Sequence, residues 1–260
     1  EGDERGEREL PRLWWCPTSL LSFFPLHAAG KYAAGEHRPH GVADHVVSSY
    51  TATLSALRRS ASKQARPAAE RTLLVVAAPE VPGYPPLDHA LEEAGRLAEL
   101  FPEATVLAGD DATRDAVVGA LPEHSWVHFA CHATADPLRS SANHLVLVDG
   151  ALDMADLAGL SLDAELAFLA ACGTAAGSVR LADEAQHVAS SFQLAGYAHV
   201  IATLWEVADG DAADVTTRLY GEMTGGGLRP ARAVHRITRE LRDRYPRSPW
   251  LWAPYTHIGA

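Results

Sequence analysis

The sequence predicts an α/β fold in which a mostly parallel sheet is covered by helices on both faces. From residue 72 onward, short apolar runs alternate with segments of helical periodicity, a pattern typical of a doubly wound parallel sheet. The central runs are continuously apolar and do not alternate with polar residues, as strands covered on both faces require. A more aromatic region with shorter apolar runs comes before them, and we expect it to form a strand-containing annex.

The predicted strands are short and bounded by helical segments or turn residues. They are TLLVVAA at 72–78, ATVL at 104–107, WVHFAC at 126–131, ELAFLAA at 165–171 and HVIATL at 199–204.

The predicted helices occupy 88–100, 112–121, 181–197, a segment near 211–223, and 230–244. Helical spacing places one apolar stripe on the third of these, formed by Leu181, Ala185, Val188, Ala189, Phe192 and Ala195. Pro230 suits the first turn of the last helix. That helix is expected to turn Val234, Ile237 and Leu241 inward and its arginines outward.

The chain is divided by composition into four parts. Residues 1–10 are predicted to be the remnant of a linker, because seven of the first nine residues are charged. Residues 11–57 form the annex, residues 58–71 lose the hydrophobic pattern and are expected to be a linker, and residues 72–260 form the main unit. We expect an upstream region to be missing and the last residues to be a natural terminus.

The charge balance excludes several classes of function. The chain has 260 residues, with 33 acidic against 22 basic side chains and a net charge of −11. A surface that binds nucleic acid would need clustered Lys and Arg, so no nucleic-acid partner is expected. No run approaches the ~20 apolar residues of a membrane span, so no membrane partner is expected either. Three widely spaced cysteines, Cys16, Cys131 and Cys172, indicate reduced thiols and a cytoplasmic location.

Two reactive side chains follow predicted strands directly. His132 comes after the run at 126–131, and Cys172 comes after the run at 165–171. Ligands of open parallel sheets bind beyond the carboxyl ends of the strands, so these two residues can meet in one crevice. A cysteine beside a histidine is a nucleophile beside its base. The alternative is that both are packing residues.

Other patterns at first suggest different chemistry. His124, His128 and His132 share a helical spacing that suits zinc, but the segment is β-rich, and a strand would spread its ends over about 26 Å, so no metal is expected. Cys131 is expected to be a buried thiol on the opposite side of the strand from His132. The SxxK pattern that begins at Ser60 lies in the linker and is interpreted as chance. No phosphate-cradling loop is present, so no nucleotide or other cofactor is expected.

Several longer segments resemble the CHAT family, whose members are caspase-like domains often attached to tetratricopeptide repeats. The resemblance lies in HFACHA at 128–133, ELAFLAACGTA at 165–175 and FQLAGYAHVIATLWEVADGDAA at 192–213. RLWWCPTSLLSFFPLHAAG at 12–30 and SSYTATLSAL at 48–57 are similar to the amino-terminal part of that family. The motifs occur in the family's order and cover nearly the whole chain.

The resemblance implies a caspase-like three-layer sandwich and a cysteine endopeptidase of the caspase and separase clan. It implies Cys172 as nucleophile, His132 as general base, and the backbone N–H groups of Ala133 and Cys172 as the oxyanion hole. Glu206, Asp209 and Asp211 become candidates for a substrate-binding pocket that would select Lys or Arg. The implied partners are a protein or peptide substrate and a regulatory upstream domain or partner protein, with tetratricopeptide repeats as the family's example.

Two alternatives remain open at the level of sequence. Where the family usually has glycine after the histidine, this chain has Ala133, which would be strained if the position needs positive φ. A spoiled oxyanion hole would make the domain a pseudoprotease that acts as an interaction module. Asp209 and Asp211 also precede a predicted helix, so either can cap that helix instead of binding substrate.

Overall fold

A computed structural model describes residues 10–18, 21, 24–32, 40–134, 144–170, 172–173, 181–205, 207 and 209–260. Within these ranges, side chains are described except at positions 154, 172–173, 181–187 and 209–211.

Eight strands form the main sheet, and each of the eight has a parallel neighbour on at least one side. Along the chain they are β1 (Arg12–Trp15), β4 (Val47–Tyr50), β5 (Leu73–Ala77), β6 (Thr105–Ala108), β7 (Trp126–Ala130), β11 (Ala164–Leu169), β13 (Tyr197–Thr203) and β14 (Tyr255–Gly259). Their spatial order is β1-β4-β14-β13-β11-β7-β5-β6. The β13–β14 pair is antiparallel and every other pair in this sheet is parallel.

Two small sheets complete the strands of the described residues. One pairs β2 (Gly30–Lys31) with β3 (His40–Gly41). The other has the order β10-β9-β8-β12 and contains β8 (His132–Thr134), β9 (His144–Leu147), β10 (Gly150–Asp153) and β12 (Cys172–Gly173). In this second sheet, β8 comes directly after β7 and β12 comes directly after β11. The sheet therefore lies at the carboxyl edge of the main sheet.

The helices of the described part are α1 (Leu54–Ala61), α2 (Ala90–Leu100), α3 (Arg114–Ala120), α4 (Met154–Ala158), α5 (Leu181–Ala195), α6 (Asp209–Thr224) and α7 (Pro230–Arg244). No helix within the described ranges is both long and apolar enough to cross a membrane.

Apolar side chains cover both faces of the main sheet, which makes three layers. On one face Phe129 of β7 packs in the same cluster as Phe192 of α5. On the other face Trp126 and Phe168 each pack against Tyr220 of α6. Strands between two such layers expose neither face to water, which explains their unbroken apolar sequences. The predicted α/β sandwich with a strand-containing annex is confirmed.

The predicted strands and helices of the main unit are present within a few residues of their predicted bounds. The described side chains of the α5 stripe, Val188, Ala189, Phe192 and Ala195, are all buried, as predicted.

The expectation that the arginines of α7 point outward is wrong for Arg242. This side chain is 1% exposed and donates two hydrogen bonds to Asp44, at 3.0 and 2.8 Å. Asp44 belongs to the amino-terminal annex and is partly buried, so a partly buried ion pair joins the annex to α7. The annex strands β1 and β4 also extend the main sheet beyond β14. The division of the chain into domains stays a prediction.

Candidate active site

The site lies at the carboxyl edge of the sheet, where β7 and β11 end. The small strands β8 and β12 pair in parallel there, with Cys172 opposite His132 and Gly173 opposite Ala133. Neighbouring strands lie about 4.8 Å apart, so the backbones of the two predicted catalytic residues are adjacent. The Cys172 side chain is outside the described part of the structure.

The imidazole of His132 is buried, with 2% of its surface exposed. Its Nε2 lies 2.8 Å from the carbonyl oxygen of Pro85. A carbonyl oxygen only accepts hydrogen bonds, so Nε2 must carry the proton. In the neutral ring the lone pair is then on Nδ1, which is buried and has no hydrogen-bond partner among the described residues. The atom left available to accept a proton is therefore Nδ1.

A tight loop between β5 and α2 holds this imidazole. The Tyr84 amide donates to the Val81 carbonyl at 3.1 Å, and Gly83 has φ of 89°. Residues 81–84 therefore form a type II turn, which has proline at its second position and a positive-φ glycine at its third. The Leu87 amide then donates to the Pro79 carbonyl at 2.9 Å and closes the loop.

Two residues of this loop contact the site and were missed by the sequence analysis. Pro85 supplies the carbonyl oxygen, and Tyr84 stacks on His132 with 5.1 Å between ring centroids and 25° between ring planes. The Tyr84 hydroxyl is hydrogen-bonded to Thr134 Oγ1 at 2.8 Å. The Val-Pro-Gly-Tyr turn signature after the first predicted strand was the available signal. It marks a turn but not the direction of a carbonyl.

Ala133 lies within the extended strand β8. An extended backbone accommodates any L-residue, so the strain considered for a positive φ at this position does not arise. The structure thus removes the physical reason for regarding alanine as harmful here. The role of its N–H as an oxyanion donor stays a prediction.

The predicted substrate-binding acids follow β13. Asp209 begins α6 and Asp211 lies in its first turn, at the same edge of the sheet as His132, because β13 runs parallel to β11. Their side chains are outside the described part, as is the whole of Glu206. Capping and substrate binding remain open for both aspartates.

The other histidines and cysteine of the motif lie in separate environments. His124 Nε2 is hydrogen-bonded to Thr105 Oγ1 at 2.8 Å, whereas His128 Nε2 lies 3.4 Å from a carboxylate oxygen of buried Glu93. Cys131 is buried in the core, in agreement with the prediction. Within the described ranges, no three His, Cys, Asp or Glu residues are grouped closely enough to hold a metal ion.

Comparison with known proteins gives a family and a fold. The sequence model of the CHAT domain matches residues 3–260. No curated protein matches the sequence.

Similar solved structures include those of separase and of a cysteine proteinase, gingipain R. A chain of the Saccharomyces cerevisiae separase–securin complex matches with a TM-score of 0.61 and 15% identity, over 92% of this chain and 14% of that chain. The Arg-specific cysteine proteinase gingipain R matches with a TM-score of 0.56 and 9% identity, over 87% of this chain and 56% of that chain. The chain thus spans only a small part of the length of the separase chain that it resembles. Such low identity establishes the fold alone, and that fold is caspase-like.

Proposed function

The chain belongs to the CHAT domain family, and from this premise we propose that it is a cysteine endopeptidase with Cys172 as nucleophile and His132 as general base. The observation that carries the proposal is the strand register that pairs Cys172 with His132. It is supported by the tautomer of His132, whose Nε2–H is engaged by Pro85 and whose Nδ1 retains a lone pair. A base must offer a lone pair within reach of the thiol.

In the proposed reaction, the Cys172 thiol gives its proton to His132 Nδ1, and the thiolate attacks the carbonyl carbon of a peptide bond. The C–N bond breaks as Nδ1 returns the proton to the leaving amine, and the acyl group stays on Cys172 as a thioester. Water then loses a proton to Nδ1 and adds to the thioester carbonyl. The C–S bond breaks, the carboxylic product leaves, and the proton returns to the thiolate.

The negative charge that forms on the carbonyl oxygen needs hydrogen-bond donors. We assign this role to the backbone N–H groups of Ala133 and Cys172, which belong to paired strands at the same edge. The extended backbone of Ala133 supports this assignment over the pseudoprotease alternative, since alanine is unstrained there.

The proposed substrate is a protein or peptide cleaved after Lys or Arg. Asp209 and Asp211 at the start of α6, together with Glu206, would supply the negative charge of the pocket. The name of gingipain R records specificity for Arg in a protein of the same fold. Replacing Asp209 or Asp211 by Lys should abolish a preference for basic residues, and an unchanged preference in both variants would contradict the pocket.

Regulation by another protein region is part of the proposal. The similar separase structure is a complex with a protein partner, securin. We propose that an upstream region of this protein, or a partner such as a tetratricopeptide-repeat protein, controls access to the site, with the domain as a cytoplasmic effector.

A peptide-library cleavage assay tests the reaction. Wild type, Cys172→Ala and His132→Gln are compared, with Cys16→Ala as the matched control because Cys16 is an exposed thiol outside the site. We expect cleavage by wild type and Cys16→Ala, none by Cys172→Ala, and a loss of about 10²–10⁴-fold in His132→Gln. Equal cleavage by wild type and Cys172→Ala would contradict the proposal.

A further inference from the structure

Tyr84 contacts both His132 and the strand β8 that carries it. Its ring lies almost parallel to the His132 imidazole, with 5.1 Å between the centroids. Its hydroxyl is hydrogen-bonded to Thr134 Oγ1, two residues further along β8, at 2.8 Å. One loop side chain therefore bridges the base and the strand that carries it.

We propose that Tyr84, anchored by Thr134, is a positioning residue that fixes the plane of the His132 imidazole so that Nδ1 faces the strand of Cys172. This inference rests on the proposed function, because it assigns a task to Tyr84 within the same dyad. Neither residue touches the reacting atoms in this assignment. Both act through His132.

The need for such a residue follows from the freedom of a histidine ring. Rotation about the Cβ–Cγ bond is broad for an sp³–sp² torsion, and it would carry Nδ1 away from its acceptor position. The Pro85 carbonyl holds the imidazole at one edge atom only, Nε2. A ring stacked on the face blocks rotation about this bond, because a turned imidazole would collide with it.

In the proposed dyad, the stack would also stabilise the ion pair of imidazolium and thiolate. When Nδ1 accepts the thiol proton, the imidazolium lies over the electron-rich face of a tyrosine ring, which attracts a cation. Loss of the ring should therefore reduce the thiolate content of Cys172 at a given pH as well as the precision of the dyad.

The hydroxyl anchor separates this role from simple packing. Tyr84 is only partly buried, and the turn before it is defined by the backbone of Gly83. Water could satisfy the hydroxyl of a partly buried tyrosine, but the Tyr84 hydroxyl is hydrogen-bonded to Thr134 and so ties the stacking ring to the strand of His132.

Four variants in a Cys16→Ser background form the test: Tyr84→Phe, Thr134→Val, their double variant, and Tyr84→Leu. The background removes the exposed thiol of Cys16, and Cys131 is buried, so iodoacetamide reports on Cys172. The alkylation rate is measured against pH, kcat and KM are measured with a cleaved peptide, and thermal unfolding records folding. Tyr32→Phe is the matched control, because the Tyr32 hydroxyl is also hydrogen-bonded, at 2.7 Å to the Ala28 carbonyl.

We expect Tyr84→Leu to lower kcat about two- to tenfold with KM unchanged, the range that aromatic pairs span. Its alkylation profile should move to higher pH. Tyr84→Phe and Thr134→Val remove the same hydrogen bond, so each should lower kcat to a similar and smaller extent, and the double variant should lose no more than either. Tyr32→Phe should match the background.

The proposal is overturned if the alkylation profile of folded Tyr84→Leu equals that of the background, or if the two hydroxyl deletions multiply. Failure of the proposed function looks different. In that case His132→Gln would leave the alkylation profile of Cys172 unchanged, and wild type would cleave no faster than Cys172→Ala, whatever the Tyr84 variants do.

Discussion

Lowering the pH from about 7.5 to about 5.5 is expected to destabilise the fold, because two buried histidines and two partly buried ones are held in the neutral form. Burial lowers the pKa of His27, His199 and His235 to about 4, and burial together with His199 and Arg12 holds the pKa of His257 well below its usual range.

Two of these rings belong to one chain of hydrogen bonds. Arg12 donates to Ser49 Oγ at 2.6 Å, and Ser49 Oγ lies 2.7 Å from His257 Nδ1. His257 Nε2 then lies 3.1 Å from His199 Nδ1. If Ser49 donates to His257 and His257 donates to His199, each ring accepts at Nδ1 in its neutral form. A proton added to either Nδ1 would face the hydrogen-bond donor that this atom accepts from, so the hydrogen bond would be lost.

The magnitude follows from proton linkage. A histidine with an ordinary pKa of about 6.5 in the unfolded chain takes up a proton on unfolding at pH 5.5 but hardly any at pH 7.5. Since its folded pKa is lower, stability is fully present above the unfolded pKa and falls as the pH falls from about 6.5 towards about 4. The loss is about 1.4 kcal/mol per histidine between the two pH values, or about 5 kcal/mol for four.

Urea unfolding at a series of pH values measures this loss. His235→Gln should reduce the pH dependence by about a quarter, because His235 Nε2 has no hydrogen-bond partner among the described residues and the variant removes one titrating ring. An unfolding free energy that stays constant between pH 7.5 and 5.5 would refute the reasoning.

Three substitutions test other parts of the account. Asp44→Asn should lower the free energy of unfolding in urea by about 2–3 kcal/mol. This is less than for a fully buried pair, because Asp243 still faces Arg242. A loss below about 0.5 kcal/mol, on the order of a surface change, would contradict a stabilising role of the Asp44–Arg242 pair. Gly83→Ala strains a backbone at φ of 89° and should cost about 1 kcal/mol in stability. It should also lower peptide cleavage, because it moves the Pro85 carbonyl that holds His132, and unchanged cleavage would contradict a role of this loop in holding His132. Ala133→Gly should leave the cleavage rate unchanged and lower stability by about 0.5–1 kcal/mol, since the strand needs no positive φ; a large gain in rate would show that alanine impairs the site.

Much of the fold could be predicted because its central strands are buried on both faces. Such strands have continuous apolar runs, and the helices between them have a clear period. The same reasoning located the candidate dyad, since residues that directly follow adjacent parallel strands meet at one edge. His132 and Cys172 are opposite each other in the register for this reason.

The parts that were missed depend on backbone groups or on distant partners. The Pro85 carbonyl contacts His132, but a carbonyl is common to every residue and leaves no mark in the sequence. The inward direction of Arg242 depends on Asp44, which is remote in the chain. Helical periodicity alone could not indicate that an arginine would be paired and buried.

The strands of the small sheet were also missed. β8 has three residues and β12 has two, so neither is long enough to show a period of its own. Their pairing is a consequence of the longer strands β7 and β11, which bring them side by side.

The most direct test of the central claim is covalent labelling by a peptidyl electrophile that ends in arginine, followed by peptide mapping of the labelled chain. The account predicts one label, on Cys172, that is lost in His132→Gln and unaffected by Cys16→Ser. Labelling that does not depend on His132, or that is found on Cys16 in preference to Cys172, would contradict a dyad of these two residues.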